Sequence, residues 1–292
     1  MNRRLLPLLT TVLASLMLTA CGHAPTAHPW TAAEQAQLTA LLPTDALLLG
    51  EQHDAPEHHQ LERQVVEWLA QRGALAAVAM EMAPRGKDTR ALSSHATDLE
   101  VRAALDWNDA GWPWKTYGPV VMAAVKAGVP VLGANLPTAQ QRSAMRDTSL
   151  DARLSPSALA TQQQRIRDGH CDLLPPAQIL PMTRIQIARD LAMAHTVVEA
   201  RKAGHTVLLV AGNGHVERAL GVPAHLPADL SVKVISALAG QAPTQAGAQT
   251  TAPVRTAADL IWPTPPLPPK DYCAQIRDSV PSKPATANPL KP

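Results

Sequence analysis

The chain has 292 residues, 46% of them hydrophobic, 17% charged and 3% aromatic, with 27 Pro and no Phe. That is material for one large domain or two small ones, with a core that aliphatic and alanine side chains must fill. The formal charge of +2 falls to 24 basic against 24 acidic groups once Arg3 and Arg4 are set aside with a leader, so the chain has neither the basic footprint nor the aromatic platform of a nucleic-acid binder.

Asn2-Arg3-Arg4 followed by the apolar run from Leu5 to Leu18 reads as a secretory signal over residues 1–20, too short for a bilayer span. The run ends Leu18-Thr19-Ala20-Cys21, small residues ahead of a cysteine, which looks like a bacterial lipobox. Cys21 is then the lipidated N-terminus and residues 21–31 are a tether. Gly22 rather than Asp after the cysteine points to the outer membrane, with the protein facing the periplasm. No later segment has 18 consecutive apolar residues, so this reading anchors the chain to a membrane without spanning it. With Cys21 spent on lipid, Cys171 and Cys273 remain. An even pair in an oxidising compartment reads as a disulfide; two buried thiols are the alternative.

From Thr31 onward helix and strand signals alternate. Thr31 to Leu42 is helical, and Ala46 to Leu49 is a short apolar strand ending at Gly50. Asp54-Ala55-Pro56-Glu57 starts a helix with Asp54 as its cap, an apolar stripe of Leu61, Val65, Trp68 and Leu69, and a stop at Gly73. Strands follow over Ala76–Met82 and Val129–Gly133, with a helix from Pro119 to Lys126 between them. A long helix lies within Pro175–Ala203, and strands occupy Thr206–Ala211 and Val232–Ser236. Short apolar strands separated by helices predict an α/β domain over residues 32–240, its parallel or mostly parallel sheet covered by helices on both faces. Residues 241–253 are a Gln-, Thr-, Ala- and Pro-rich linker. Residues 254–273 hold a last strand at Ala257–Trp262 and pack back on the domain, and 274–292 form a disordered tail.

The chemistry collects where strands end. The first runs out into Gly50-Glu51-Gln52-His53-Asp54, the second into Glu81, the third into Gly133-Ala134-Asn135, the fourth into Gly212-Asn213-Gly214-His215. In an open parallel sheet, ligands bind outside the carboxyl ends of the strands, so these residues converge on one crevice. Two carboxylates and two imidazoles can hold a divalent metal or relay protons, which makes Glu51, His53, Glu81 and His215 a candidate metal set. Glu51 and Glu81, apposed with neither base nor metal, would repel, which argues for function. His58 and His59 read as partly buried structural histidines. Half of the Trp and half of the Tyr fall between Asp106 and Tyr117, a loop that either lines a pocket for a flat ligand, with Lys115 and Tyr117 at its rim, or pins itself to the surface. GxGxxG, GxxxxGK[ST], GxSxG and HExxH are all absent.

Gly50 to Asp54, Ala79-Met80-Glu81-Met82, Gly133 to Pro137, His170-Cys171 with Leu174-Pro175, and Gly212 to His215, taken in order, resemble the ChaN-type haem-binding lipoproteins over roughly Ala33 to Trp262. Their superfamily includes the Tiki and TraB proteins and, more distantly, the erythromycin esterases. The resemblance implies an α/β fold and haem binding in iron acquisition. It makes Tyr117, Lys115, His53, His215 and Asn135 candidate haem contacts, with Tyr117 and Tyr272 the phenols available to the iron. The other branches imply a metal-dependent or Glu/His hydrolase using Glu51, His53, Glu81 and His215. A homodimer is left open.

Overall fold

The structure is a computed structural model describing residues 30–240 and 258–279. The expected leader, the expected lipidation site at Cys21, the expected linker at 241–253 and the residues beyond 279 lie outside the described residues.

Six strands form one sheet, β1 (Ala46–Glu51), β2 (Leu75–Pro84), β3 (Val131–Asn135), β4 (Thr206–Gly212), β5 (Val232–Ala239) and β6 (Leu260–Thr264), in the order β3-β2-β4-β1-β5-β6. Every paired neighbour is parallel. The helices are α1 (Ala32–Thr39), α2 (Pro56–Gln71), α3 (Asp98–Ala104), α4 (Trp114–Lys126), α5 (Thr138–Arg146), α6 (Pro156–Gly169), α7 (Pro176–Glu199) and α8 (Tyr272–Ser279). Among the described residues no helix is long and apolar enough to cross a membrane.

Alternation along the strands explains both layers. Leu47, Leu49, Val78, Met80, Leu208 and Val210 join Leu61, Val65 and Leu69 of α2 and Val120, Val121 and Ala124 of α4 in one core. Ala46, Leu48, Ala79, Val207, Leu209 and Ala211 point the other way, onto Met193, Ala194 and Val197 of α7. Strands buried on both faces carry apolar residues at nearly every position, as β1 and β4 do. The chain leaves β1 toward β2 by way of α2, and leaves β4 toward β5 on the α7 side. Their outgoing loops therefore part between two adjacent strands, which opens a crevice at the carboxyl edge.

Three differences from the sequence reading have local causes. Asp54 does not cap α2: the cap position is Ala55 with no side-chain bond, and Asp54 instead accepts from the Tyr272 hydroxyl at 2.8 Å and from Lys270 Nζ at 3.2 Å. Helix α4 starts at Trp114, so Pro119 lies inside it and the last third of the expected Trp-rich loop, residues 114–117, is helical. Helix α8 runs over Tyr272–Ser279, so residues 274–279 are helical where a disordered tail from 274 was expected.

Cys171 and Cys273 are joined in a disulfide that ties α8 to the end of α6 across 102 positions of sequence. Closing a loop of that length stabilises by about 4–5 kcal/mol at most in the chain-entropy treatment, and often less. Adding reductant, or replacing both cysteines with Ser, is expected to lower the urea midpoint and expose the segment after residue 258 to protease. An unchanged midpoint and digestion pattern would show that the bond contributes nothing to holding that segment.

Candidate functional site

Glu51 ends β1 and points into the α2–α4 layer, buried. Its Oε1 accepts the Tyr117 hydroxyl of α4 at 2.9 Å and lies 2.8 Å from His53 Nδ1. Its Oε2 lies 3.0 Å from His59 Nε2 on α2. Burial alone would raise the Glu51 carboxyl, but bonds from His53 and His59 outweigh it and hold the group ionised well below the usual range. His53 is raised in turn: burial works against its charge, and the bond to Glu51 with the charge of Glu81 prevails. Burial, then the negative charge of Glu51, keeps the Tyr117 phenol far above its ordinary value, so it stays a donor.

Glu81 points to the opposite face. It accepts the Gly212 N–H at 2.8 Å and lies 3.2 Å from His215 Nε2. His215 Nδ1 is 2.5 Å from Asp190 Oδ1 on α7. All three side chains are buried. Burial opposes the charge on His215, yet Glu81 and Asp190 raise it to about 10. Burial works to raise Glu81, while the charge and hydrogen bond of His215 lower it to about 2. Asp190 goes the other way, raised by burial to about 6. His215 is thus an imidazolium clamped between two carboxyl groups, both nitrogens committed. The expected apposition of Glu51 and Glu81 is not formed, because residues 51 and 81 fall on opposite faces of the sheet and each acid has its own partners.

A crevice of about 600 Å³ opens above β1 and β4, lined by Glu51, His53, Asp54, His215, Lys270 and Tyr272 among others. A Cβ on Gly212 would come within 2.9 Å of His53 Nε2, so glycine there lets the imidazole lie over the strand end. Asn135 is not in this crevice. It lines an adjoining depression of about 560 Å³ with Glu81, Trp107, Trp112 and Arg189. The two meet where His53 packs edge-on against Trp112, ring centres 4.9 Å apart. Buried Arg189 Nε and Asn135 Oδ1 have no hydrogen-bond partner there.

Lys115 lies elsewhere, in a separate depression with Arg63, Glu67 and Asp98. Two positions apart on a helix, Lys115 and Tyr117 point in nearly opposite directions. Tyr117 is 1% exposed and its phenol is spent on Glu51, whereas Tyr272 is 49% exposed at the crevice lip. His58 is structural: Nδ1 accepts from the Gln52 N–H at 2.9 Å, and Nε2 lies 2.9 Å from Thr264 Oγ1 of β6. Burial lowers it to about 4.

The four-residue metal set of the sequence reading does not assemble. Among the described residues, the group of His, Cys, Asp and Glu side chains with ligand atoms mutually within 4.8 Å is Glu51, His59 and Glu62. Glu62 and Asp190 were missed, although each interrupts an apolar helix stripe. Glu62 falls between Leu61 and Val65, and Asp190 between Ile187 and Ala194.

Residues 37–226 match the family model described as haem-binding uptake, Tiki superfamily, ChaN, which spans well over half of the chain. The chain belongs to this family. Of solved structures, that titled for cofacial haem binding to ChaN of Campylobacter jejuni is 22% identical, with 72% of this chain and 87% of that chain covered and a TM-score of 0.60. At that identity the likeness is one of fold. A Bacillus cereus protein (12% identity, 74% of this chain and 71% of that one, TM-score 0.38) and the type III effector HopBA1 (12%, 76% and 88%, TM-score 0.37) lie further off. No curated protein matches.

The Glu81–His215–Asp190 clamp sets a pH dependence. Glu81, lowered from 4.5, contributes stability that is present above that pH and lost as pH falls toward 2. His215, raised from 6.5, contributes stability that is present below that pH and lost as it rises toward 10. Asp190, raised from 3.8 to about 6, tilts the plateau downward across its own titration. His215→Gln leaves two buried acids facing each other and is expected to cost roughly 3–5 kcal/mol near pH 5.5. Urea midpoints of both proteins at acid, intermediate and alkaline pH test this; a variant that loses nothing at intermediate pH would show that the clamp is not formed.

Proposed function

We propose that this protein binds haem at the carboxyl edge of the sheet, with the porphyrin over the His53–Trp112 contact. The observation that carries the reading is a family match joined to a crevice whose lip offers an exposed phenol, an exposed imidazole and a cation together. Haem supplies the iron chemistry when bound. The chain's part is to ligate, orient and neutralise. Tyr272 is the phenol that faces solvent and so replaces Tyr117 as the proposed iron ligand, with His53 beside it. Lys270 in the crevice and Arg189 in the adjoining depression are the cations placed for propionates, in the role first given to Lys115. Trp107 and Trp112 supply apolar wall. The crevice is open, so one porphyrin face stays uncovered unless a second copy covers it; a homodimer belongs to this reading.

The cellular role is part of the same proposal: an outer-membrane lipoprotein, anchored through Cys21, that holds haem for iron acquisition. The lipobox sequence and the family support it. Hydrolysis is less well served. His215 has both nitrogens committed to Glu81 and Asp190, which leaves it poorly placed to act as a base or metal ligand.

Haem titrated into the purified protein is expected to give a stoichiometric Soret band. Tyr272→Phe should shift or erase it, and His53→Ala should weaken binding by about 1–3 kcal/mol, the cost of losing one polar contact. Tyr117→Phe should leave the iron spectrum in place. A wild-type spectrum in Tyr272→Phe together with a lost one in Tyr117→Phe would return the ligand to Tyr117. No band at all would end the haem reading. Separately, Cys21→Ser should release the protein from membranes, and retention there would overturn the lipid anchor.

A further inference from the structure

Beneath the crevice, on its α2 side, lies a cluster that haem does not use. His59 and Glu62 stand one turn apart on α2, at the i, i+3 spacing by which a helix presents an imidazole and a carboxylate to one point. Glu51 faces them from the end of β1. One ligand atom from each of the three lies within 4.8 Å of the others, and Glu51 Oε2 is 3.0 Å from His59 Nε2. Glu62 is 0% exposed, in the middle of an apolar stripe.

The hydrogen bonds leave this cluster unfinished. Tyr117 and His53 both engage Glu51 Oε1, which turns Oε2 toward His59 and Glu62. Glu51 Oε2, His59 Nε2 and both oxygens of Glu62 are buried without a hydrogen bond of good geometry. Four buried polar atoms that gather with only the 3.0 Å contact of Glu51 Oε2 and His59 Nε2 between them are rare in a folded protein and call for an occupant. Two carboxylates and an imidazole facing one another are a donor set that a divalent cation takes.

We infer that Glu51, His59 and Glu62 hold a single first-row divalent cation, in a buried site separate from the haem crevice. Ligand atoms stand about 2.0–2.2 Å from an ion such as Zn²⁺, so neighbouring ligands are roughly 3–4 Å apart, within a small side-chain rotation of the present spacing. Carboxylate and imidazole ligands with no thiolate suit Zn²⁺, Mn²⁺ or Fe²⁺ rather than Cu⁺. Ligands must be deprotonated to bind an ion, so uptake of the cation displaces protons from the site. Because Glu51 spends its other oxygen on His53, occupancy also fixes the imidazole at the crevice lip from below. The site stands whether or not haem binds above it.

The test uses the full chain, treated with chelator and titrated with Zn²⁺ and, separately, Mn²⁺ without haem, read by calorimetry and by elemental analysis after desalting. One equivalent of at least one ion, with a rise in Tm, is expected. Glu62→Gln keeps size and packing while removing the charge. It should weaken binding roughly 100-fold or more, beyond what loss of a mere supporting group does, and abolish the Tm rise. His59→Gln should do the same, which covers the case that one variant fails to fold by its far-UV spectrum. His53→Ala removes a group that supports Glu51 but is not itself a ligand, so it should weaken binding less than either α2 variant does. The inference is overturned if neither ion binds the wild type, in which case a proton shared between Glu62 and Glu51 is the occupant. Binding that survives in both folded α2 variants, or that is lost in His53→Ala alone, would overturn it equally. Haem titration of Glu62→Gln separates the two sites, since its Soret band should persist.

Discussion

Glu51 is buried at the carboxyl end of β1, and a carboxylate shut away from water must be met by donors or give up its charge. This chain meets it from three directions: the Tyr117 hydroxyl from α4, the His53 imidazole from the loop after β1, and His59 with Glu62 from α2. Each donor fixes the element that carries it. The phenol sets α4 against the sheet edge, and the aromatic cluster follows. Trp112 and Trp107 pack within 5.7 and 6.4 Å of the Tyr117 ring, and Trp114 lies 5.0 Å from Trp107. The residues from 106 to 117 are therefore both a pinned aromatic cluster and the wall of a depression, two roles that had looked like alternatives.

Parallel strands bring their carboxyl ends to one edge, but alternation along each strand decides which side of the sheet a residue serves. Glu51 lies in phase with Leu47 and Leu49, and Glu81 with Ala79. Two acids at the same edge thus have different chemistry. One is satisfied by a phenol and an imidazole beside the crevice. The other is locked with an imidazolium and a second acid under α7. The His215 clamp anchors the turn after β4 and leaves little reactivity exposed. What the crevice presents to a ligand is mainly His53, Lys270 and Tyr272.

How much of this could be read beforehand follows from what single-sequence patterns encode. All six strands were legible because buried strands are short apolar runs, and the ends of four carry Gly or polar residues that mark the carboxyl edge. The disulfide was legible from cysteine arithmetic, with an alternative that the structure now removes. Helices α3, α5 and α6 were not found. α3 and α5 bury a single residue each, Val101 and Ala144, and α6 only Gln162 and Ile166, so their sequences carry little apolar stripe. Side-chain direction was harder still. Lys115 and Tyr117 were read as neighbours at a pocket rim because the segment was taken as loop, and its helical rotation sends them apart. Asp190 is 25 positions from His215, and nothing local pairs them. Glu62 was the detectable omission, since a carboxylate in an apolar stripe requires a partner.

The division of labour between domain and extension follows from where the exposed groups originate. The family match ends at residue 226, so the matched α/β core contributes the buried acids, the clamp and His53, while Lys270 and Tyr272 come from a segment beyond it. That segment is short and would be loose on its own. Four attachments prevent this: β6 pairs with β5, Thr264 lies against His58, Tyr272 and Lys270 bond Asp54, and Cys273 is joined to Cys171. Placing a ligand group by folding rather than by binding removes the ordering cost from the association step. The bond from Tyr272 to Asp54 has the opposite effect on ligation. Sharing its proton with a carboxylate raises the phenol above its ordinary value, so a ligand that takes the phenolate must first separate the pair. Lys270 is already within 3.2 Å of the same carboxylate and can hold Asp54 once the phenol turns away. The extension is thus preorganised in position while keeping one hydrogen bond to exchange when a ligand arrives.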